Sequence, residues 1–446
     1  MTSKAASENI KLERTGPDTS AIAEGLRSRF TQTGWWHSFE LPDGRKINGA
    51  NTIDGLKQRL SVFPIPEDLS GKRVLDIGVW DGWFSFEMER RGAEVVAIDN
   101  VENANFLWLH RELRSRIDYR ILDVYELTPE RLGRFDIVIF LGVLYHLKHP
   151  LLALERVCAL TKDFAAVGSF TSPDTGPPNM AFYEIDELGG QFDNWCAPNP
   201  SCLEAMCRTA GFARVDLLEV NVFGSSVGCY RHFAAPVVSS DPAPRLIACL
   251  HPTRLGVNFS VQRDDYVSSW FESDVETLDR DTVQARVGAF DARPVFVAKE
   301  LGAWQANFKL PPGLEPGWHE VRLRTATSGW SEALRIAVDV PLHVESLVES
   351  LKITGACDGS TWGELTVTSP FMSLWVSGVP ENGGRDNIRV TIGERRCQLD
   401  YISPWQRATP TQLNVQLPPE MKAGGYPVTV AIADVASEPV SVQVEI

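Results

Sequence analysis

Hydrophobic and polar positions change rhythm along the 446-residue chain. Residues 1–20 are polar and read as loose. Residues 21–70 hold a short helical pattern, then the turn-rich, aromatic stretch "WWHSFELPDGRKINGANTIDGLKQRLSVFPIPEDL". From residue 72 to about 236, short apolar runs alternate with amphipathic ones, which predicts a mostly parallel sheet covered on both faces. Its seven strands are expected at 73–77, 94–99, 119–122, 136–141, 165–170, 213–220 and 226–234. Helices are expected at 83–91, stopped by Gly92, at 150–161, opened by Pro150, and at 201–210, stopped by Gly211. No helix fits between the last two strands, so they are expected to pair antiparallel.

The character changes after "VVSSDPAPRL". Residues 245–446 carry no convincing amphipathic helix, only alternating runs such as "WHEVRLRT" and "YPVTVAIA" broken by Pro and Gly, the pattern of sandwich strands. The stretches starting at Leu310 and Leu417, 107 positions apart, share a Leu-Pro-Pro, a glycine turn, an alternating strand, a turn and a final strand. That period is the size of one immunoglobulin-like domain. The expected organisation is an N-terminal extension and active-site cap at 1–70, a Rossmann-like α/β domain at 71–236, and immunoglobulin-like sandwiches at 245–341 and 345–446.

Composition narrows the picture. No apolar run of about 18 residues occurs, so no membrane-spanning helix is expected. The opening "MTSKAASENIKLERTG" has no apolar core of a secretory signal, and eight scattered cysteines lack a CxxC pair. Both favour a cytoplasmic protein with reduced thiols. A formal net charge of −15 counts against a nucleic-acid acceptor.

The candidate chemistry sits in "RVLDIGVWDGWFSFEMERRGAEVVAIDN". A strand, a glycine loop, a helix and a second strand ending in Asp99 form a nucleotide-binding unit, and an acid in that place accepts hydrogen bonds from ribose. The loop, Gly78-Val79-Trp80-Asp81-Gly82 after Asp76, carries carboxylates that repel a pyrophosphate but suit a cofactor with an amine and a sulfonium. "RILDVYEL" places Asp123 after a third strand, and "FDIVIFLGVLYHLKHPLLALERV" is a buried fourth strand, a loop and a helix.

The succession VLDIG, AIDN, LDVYEL and FDIVIFLGVLYHL resembles class I S-adenosylmethionine-dependent methyltransferases over roughly residues 70–236. "GVLYHLKHP" and "NWCAPNPSCLEAMCRTAGF" resemble the branch that includes the tRNA wobble-uridine carboxymethyltransferase. "WWHSFELPDG" and "DIGVWDGWFSFEMERRGA" are similar to bacterial relatives, some linked to glycan biosynthesis. The resemblance implies S-adenosylmethionine as cofactor, with Asp76, Gly78 and Gly82 at its methionine and sulfonium and Trp80 packing on the first helix or walling that pocket. It further implies Asp99 at the ribose, Asn100, Asp123 and Val124 at the adenine, and Leu141 and Gly142 under the methionine end.

Acceptor residues are expected around the same edge. His146 is read as a general base or orienting group, or as a histidine that holds its own loop, and His149 as structural. Trp35, Trp36 and His37 precede the fold and form either an acceptor wall, with His37 a second catalytic candidate, or core packing. Tyr145 follows the fourth strand. Tyr183, Asn194 and Trp195 belong to an insertion before the last helix, read as a polar acceptor lid with Trp195 as platform. The lid's acids lack a fixed metal-ligand spacing, so no metal is assigned.

Three functions follow as expectations. The first is methylation of a small or glycan-like acceptor at a hydroxyl, the sandwiches positioning substrate or assembling a homo-oligomer. The second is transfer of a carboxymethyl group to tRNA, for which Lys57 and Arg59 are the available cations. The third is a non-catalytic scaffold with a vestigial fold.

Overall fold

The computed structural model describes residues 20–234, 240–300, 302–342, 351–406 and 408–446. The segment 1–19 and parts of the expected linkers after 234 and 342 lie outside the described residues. The chain divides into two compact units, Met1–His232 and Phe233–Ile446.

The first unit opens with α1 (Ser20–Thr33) and α2 (Ile53–Ser61). There follow β1 (Arg73–Ile77), α3 (Trp83–Arg90), β2 (Glu94–Asp99), α4 (Ala104–Glu112), β3 (Asp118–Ile121), α5 (Pro129–Leu132) and β4 (Phe135–Leu141). Then come α6 (Pro150–Leu160), β5 (Thr161–Ser169), α7 (Pro200–Thr209), β6 (Arg214–Asn221) and β7 (Gly224–Tyr230). One sheet takes the order β6-β7-β5-β4-β1-β2-β3. Strands β1 to β5 run parallel to their neighbours, and β7 is antiparallel to both β5 and β6. Local chemistry sets the helix starts. The side chains of Thr52, Asn103 and Asn199 accept backbone N–H groups at the first turns of α2, α4 and α7, and Pro150 and Pro200 open α6 and α7.

Both faces of the sheet are buried, as parallel sheets require. On β4, Val138 and Phe140 join the core under α6 and α7 with Leu154, Val157 and Phe212. Ile137 and Ile139 join the opposite core with Leu56 and Leu60 of α2 and Phe84 of α3. The carboxyl ends of β1, β2 and β4 are where such sheets bind ligands.

The second unit is built of strands. A four-stranded sheet orders Arg245–Leu250, Tyr266–Glu272, Ala303–Lys309 and Pro294–Glu300. Its companion orders Asn258–Phe259, Leu334–Val338, Gly317–Thr325, Val283–Val287 and Phe290–Ala292. The pattern recurs as Lys352–Asp358, Phe371–Ser377, Thr411–Gln416 and Gln398–Ile402 beside Thr366–Val367, Val440–Val444, Gly424–Ile432, Ile388–Ile392 and Arg395–Arg396. Each sheet pair has one core drawn from both sheets: Val267, Phe308, Val283 and Val321 in the first, Leu374, Leu413, Val390 and Val428 in the second. Trp304 is core, the guanidinium groups of Arg286 and Arg324 lie 4.3 and 4.5 Å from the Trp330 ring, and Trp405 donates its indole N–H to the Val379 carbonyl. Trp270 is a half-buried strand residue facing Gln305, and Trp362 is exposed. Among the described residues, no helix is long and apolar enough to cross a membrane.

Candidate active site

The candidate site is built on two buried carboxylates. Asp76, inside β1, is 3% exposed and accepts a 2.6 Å hydrogen bond from the Ser85 hydroxyl of α3. Burial, helped by the nearby Asp99 charge, pushes its carboxyl up to about 7. Asp99, at the end of β2, accepts the Trp80 N–H at 2.9 Å on one oxygen and the Asn100 N–H at 2.8 Å on the other, and burial raises it too. Among the described residues neither acid has an ion-pair partner. With no cation paired to either carboxylate, the ammonium and sulfonium of S-adenosylmethionine fit beside them. Gly82 caps helix α3 without a side chain, and the Ser85 backbone N–H of its first turn donates to the Asp76 carboxylate.

The loop glycines answer to packing. A Cβ on Gly78 would stand 2.2 Å from a Val143 methyl, and one on Gly82 would stand 2.4 Å from the Phe106 ring. Both have positive φ, as does Trp80 at 51°. The indole thus occupies a left-handed backbone position that favours glycine. Trp80 is 40% exposed and its ring lies 6.2 Å from Phe30 of α1. Asn100 and Asp123 are exposed near the neighbouring strand ends, Asp123 accepting the Tyr125 N–H at 2.9 Å, while Val124 is buried in the core. Gly142, with Leu141 before it, ties β4 to β5 through its N–H to the Gly168 carbonyl at 2.9 Å.

Asp81 fastens the N-terminal segment over this loop. Fully buried, it accepts the backbone N–H groups of Trp36 at 2.7 Å and His37 at 3.1 Å, and it pairs with the His37 imidazole. That imidazole is itself buried, edge-on to Phe84 at 5.9 Å. Trp36 meets Phe30 at 6.1 Å, and Trp35 packs on Phe39 and Trp108. His37 is therefore placed as part of a clamp, with Trp36 in the aromatic cluster above the loop. The sequence marked Asp81 only as a charge in the loop; its anchoring role, and that of Ser85, had no local signature.

The loop after β4 is stitched to the insertion. The Trp195 N–H donates to the Tyr145 carbonyl at 2.8 Å, and the Tyr183 N–H donates to the Trp195 carbonyl at 2.9 Å. His146 Nδ1 lies 3.2 Å from the Asp193 carbonyl oxygen. A carbonyl can only accept, so Nδ1 carries the proton and Nε2 presents its lone pair. Burial lowers the His146 pKa and favours the neutral ring, although the nearby Asp193 opposes it. Asn194 is buried, donating to the Leu188 carbonyl at 2.8 Å. Trp195 stacks on Phe182 at 6.5 Å, with the Lys148 ammonium 4.7 Å from its ring. Against the expectation of a polar lid, Phe182, Ile185 and Phe192 are 69%, 64% and 78% exposed.

Arg59, in the last turn of α2, approaches the same edge from the other side, its guanidinium 5.9 Å from the Phe84 ring. Lys57, its neighbour on the helix, is exposed.

Comparison with known proteins places this geometry. Residues 48–216 match a family model described as a methyltransferase domain. A tRNA U34 carboxymethyltransferase of Pseudomonas paraeruginosa is 31% identical over 166 residues, covering 35% of this chain and 49% of that protein. A ubiquinone biosynthesis O-methyltransferase of Xanthomonas oryzae pv. oryzae is 36% identical over 129 residues, covering 28% and 50%. The chain thus spans about half the length of the curated relatives it matches. Among solved structures, the N-terminal domain of EvdMO1 with SAH bound covers 47% of this chain and 94% of its own at 20% identity and a TM-score of 0.33, too low to bear on the site.

Proposed function

We propose that the protein is an S-adenosylmethionine-dependent methyltransferase acting on a small or glycan-like acceptor, at a hydroxyl, in the cytoplasm. The observation that carries this reading is the pair of buried, cation-free carboxylates Asp76 and Asp99 beside the loop after β1, within a stretch that matches methyltransferase domains. When bound, the cofactor supplies an electrophilic methyl group on a sulfonium. Asp76 would face its positive charge, Asp99 its ribose, Asn100, Asp123 and Val124 its adenine, and Gly78, Trp80, Gly82, Leu141 and Gly142 its methionine.

His146 is the proposed general base. Its Nε2 lone pair is favoured by the Asp193 contact, and it would take the acceptor's proton as the oxygen attacks in line. Trp36, Tyr145, Tyr183, Asn194 and Trp195 would surround the acceptor, and His37 would hold the cap closed through Asp81. The strand orders of the second unit support reading both sheet pairs as immunoglobulin-like, since a four-stranded antiparallel sheet sharing one core with a companion sheet is the pattern of that fold. Positioning substrate or assembling a homo-oligomer is the role proposed for them.

The test is calorimetric titration with S-adenosylmethionine and S-adenosylhomocysteine on the wild type and Asp99→Ala, followed by an acceptor screen read by mass gain of a methyl group. Binding by the wild type that Asp99→Ala loses upholds the reading; a wild type that binds neither ligand sinks it. The second reading, carboxymethyl transfer to tRNA, draws on the Pseudomonas relative and on Arg59; the net charge of −15 opposes it. A carboxylated sulfonium found by mass spectrometry in the purified protein would turn the choice toward it. A fold without cofactor or turnover would leave the scaffold reading.

A further inference from the structure

Arg59 carries a charge that no carboxylate among the described residues meets at ion-pair distance. A Cβ built on Gly142 would lie 3.8 Å from its Nη2, and one built on Gly168 would lie 3.7 Å away. The Tyr145 hydroxyl is also 3.8 Å from the Gly142 position, so guanidinium and phenol converge on one spot over the ends of β4 and β5. Among the described residues Arg59 has no carboxylate within 4.0 Å, and neither Arg59 nor the Tyr145 hydroxyl has a hydrogen-bond partner. Arg91 and Arg73 behave otherwise: Arg91 takes Glu87 and two carbonyls, and Arg73 takes Glu94 and the carbonyls of Leu132 and Arg134.

Packing alone is a weak account of such a group. The aliphatic stem can cover Leu141, but the charged head keeps its desolvation cost unless an anion completes it. Glu219 of β6 acts on Arg59 from beyond ion-pair distance, and Asp193 of the lid acts on Tyr145. Burial works against the charge on Arg59, yet a guanidinium stays protonated near pH 7. Glycines floor the spot, Gly142 just after β4 and Gly168 on the adjacent β5.

We infer that Arg59 and the Tyr145 hydroxyl form a receptor for a carboxylate on the acceptor, so that the acceptor is an anionic small molecule. The inference rests on the methyltransferase reading. Asp99, at the ribose end, lies on β2, to one side of β1, and Arg59 lies over β4 and β5, on the other; Gly142 borders the proposed methionine end as well, so the cofactor's own carboxylate is the competing partner that the S-adenosylhomocysteine affinities below distinguish. A guanidinium presents two parallel N–H groups to a carboxylate, and the phenol adds a third donor. Tyr145 adjoins His146, so one acceptor can be held by its carboxylate at Arg59 while its hydroxyl meets Nε2 of His146. Arylcarboxylates with a ring hydroxyl and uronic acids are the chemical classes that fit.

The experiment titrates 4-hydroxybenzoate and D-glucuronate, each against its neutral counterpart 4-hydroxybenzamide or D-glucose, into protein saturated with S-adenosylhomocysteine. The wild type is expected to prefer at least one carboxylate by tenfold or more. Arg59→Gln is expected to erase that preference, Arg59→Lys to keep part of it, and Tyr145→Phe to weaken it several-fold. Cofactor affinity should stay within about twofold in each variant, which also shows that each is folded. Two results overturn the inference: a wild type indifferent between carboxylates and neutral partners, or a tenfold loss of S-adenosylhomocysteine affinity in folded Arg59→Gln. The latter would assign Arg59 to the cofactor's own carboxylate. A wild type that binds no cofactor fails the methyltransferase reading instead. The same comparison on cofactor-free protein then upholds or overturns the anion receptor by whether the preference depends on Arg59.

Discussion

Asp76 is the residue whose environment and proposed role are most tightly linked. Its carboxyl, raised to about 7 by burial, is protonated below neutrality and ionised above it. A sulfonium favours the ionised form; a neutral sulfide does not. The affinity ratio of S-adenosylmethionine over S-adenosylhomocysteine should therefore climb several-fold from pH 6 to pH 8, read by calorimetry, and a flat ratio would remove Asp76 from the cationic end. Without cofactor the sign is opposite for folding. The folded pKa exceeds the unfolded one, so the stability linked to this group falls as pH rises from about 4 through 7. His146 gives a second residue-scale test. His146→Gln should lower turnover by 100-fold or more with cofactor affinity unchanged, and wild-type turnover should rise with pH through a midpoint below the ordinary histidine value. Asp81 is structural by contrast. Asp81→Ala strands two backbone N–H groups and the His37 ring, and should cost about 3 kcal/mol in denaturant unfolding. At this scale the sequence exposed Asp76 and Asp99 through their spacing around the loop. Asp81 stayed hidden because its partners lie 44 and 45 residues away.

The elements of the first sheet were legible wherever an apolar run was bounded by turn chemistry. Strands β1 and β2 lie at the expected residues. Strand β5 begins at Thr161, four residues early, because exposed Lys162 and Asp163 disguise a strand that leaves α6 without a loop. Strand β7 begins at Gly224, two residues before the expected start, with Ser225 already paired to Ser169 of β5, and it ends at Tyr230, four residues before the expected end. The insertion was legible as a segment and not as a surface: its exposed phenylalanines carry no periodicity. The second unit offers a further test at this scale. Asp358 ends a strand and accepts the N–H groups of Ser360, Thr361, Thr368 and Ser369, which hold its carboxyl far below the ordinary range despite burial. A depressed folded pKa contributes stability that is present above about pH 4 and lost as pH falls below it. Asp358→Asn should flatten that acid loss in the second sheet pair, followed by tryptophan fluorescence, and lower stability at pH 7 by about 2 kcal/mol.

For the whole molecule, the sequence distinguished an α/β half from a β half because the period of the apolar pattern changes between them. The division at His232 and Phe233 agrees with two separately packed units. Residues 20–232 expressed alone are expected to melt cooperatively and bind S-adenosylhomocysteine within about threefold of the full chain; failure to fold would show that the β half is needed for the first unit's stability.

The two sheet pairs also carry a historical consequence. Each begins with a strand of its four-stranded sheet, Arg245–Leu250 or Lys352–Asp358, and ends with one in its companion, Leu334–Val338 or Val440–Val444. Chain entry and exit are thus the same in both copies, as tandem duplication of one ancestral gene segment would leave them. Copy number then becomes a parameter that recombination can alter one whole module at a time, adding or removing a module without redrawing the strand order of any other.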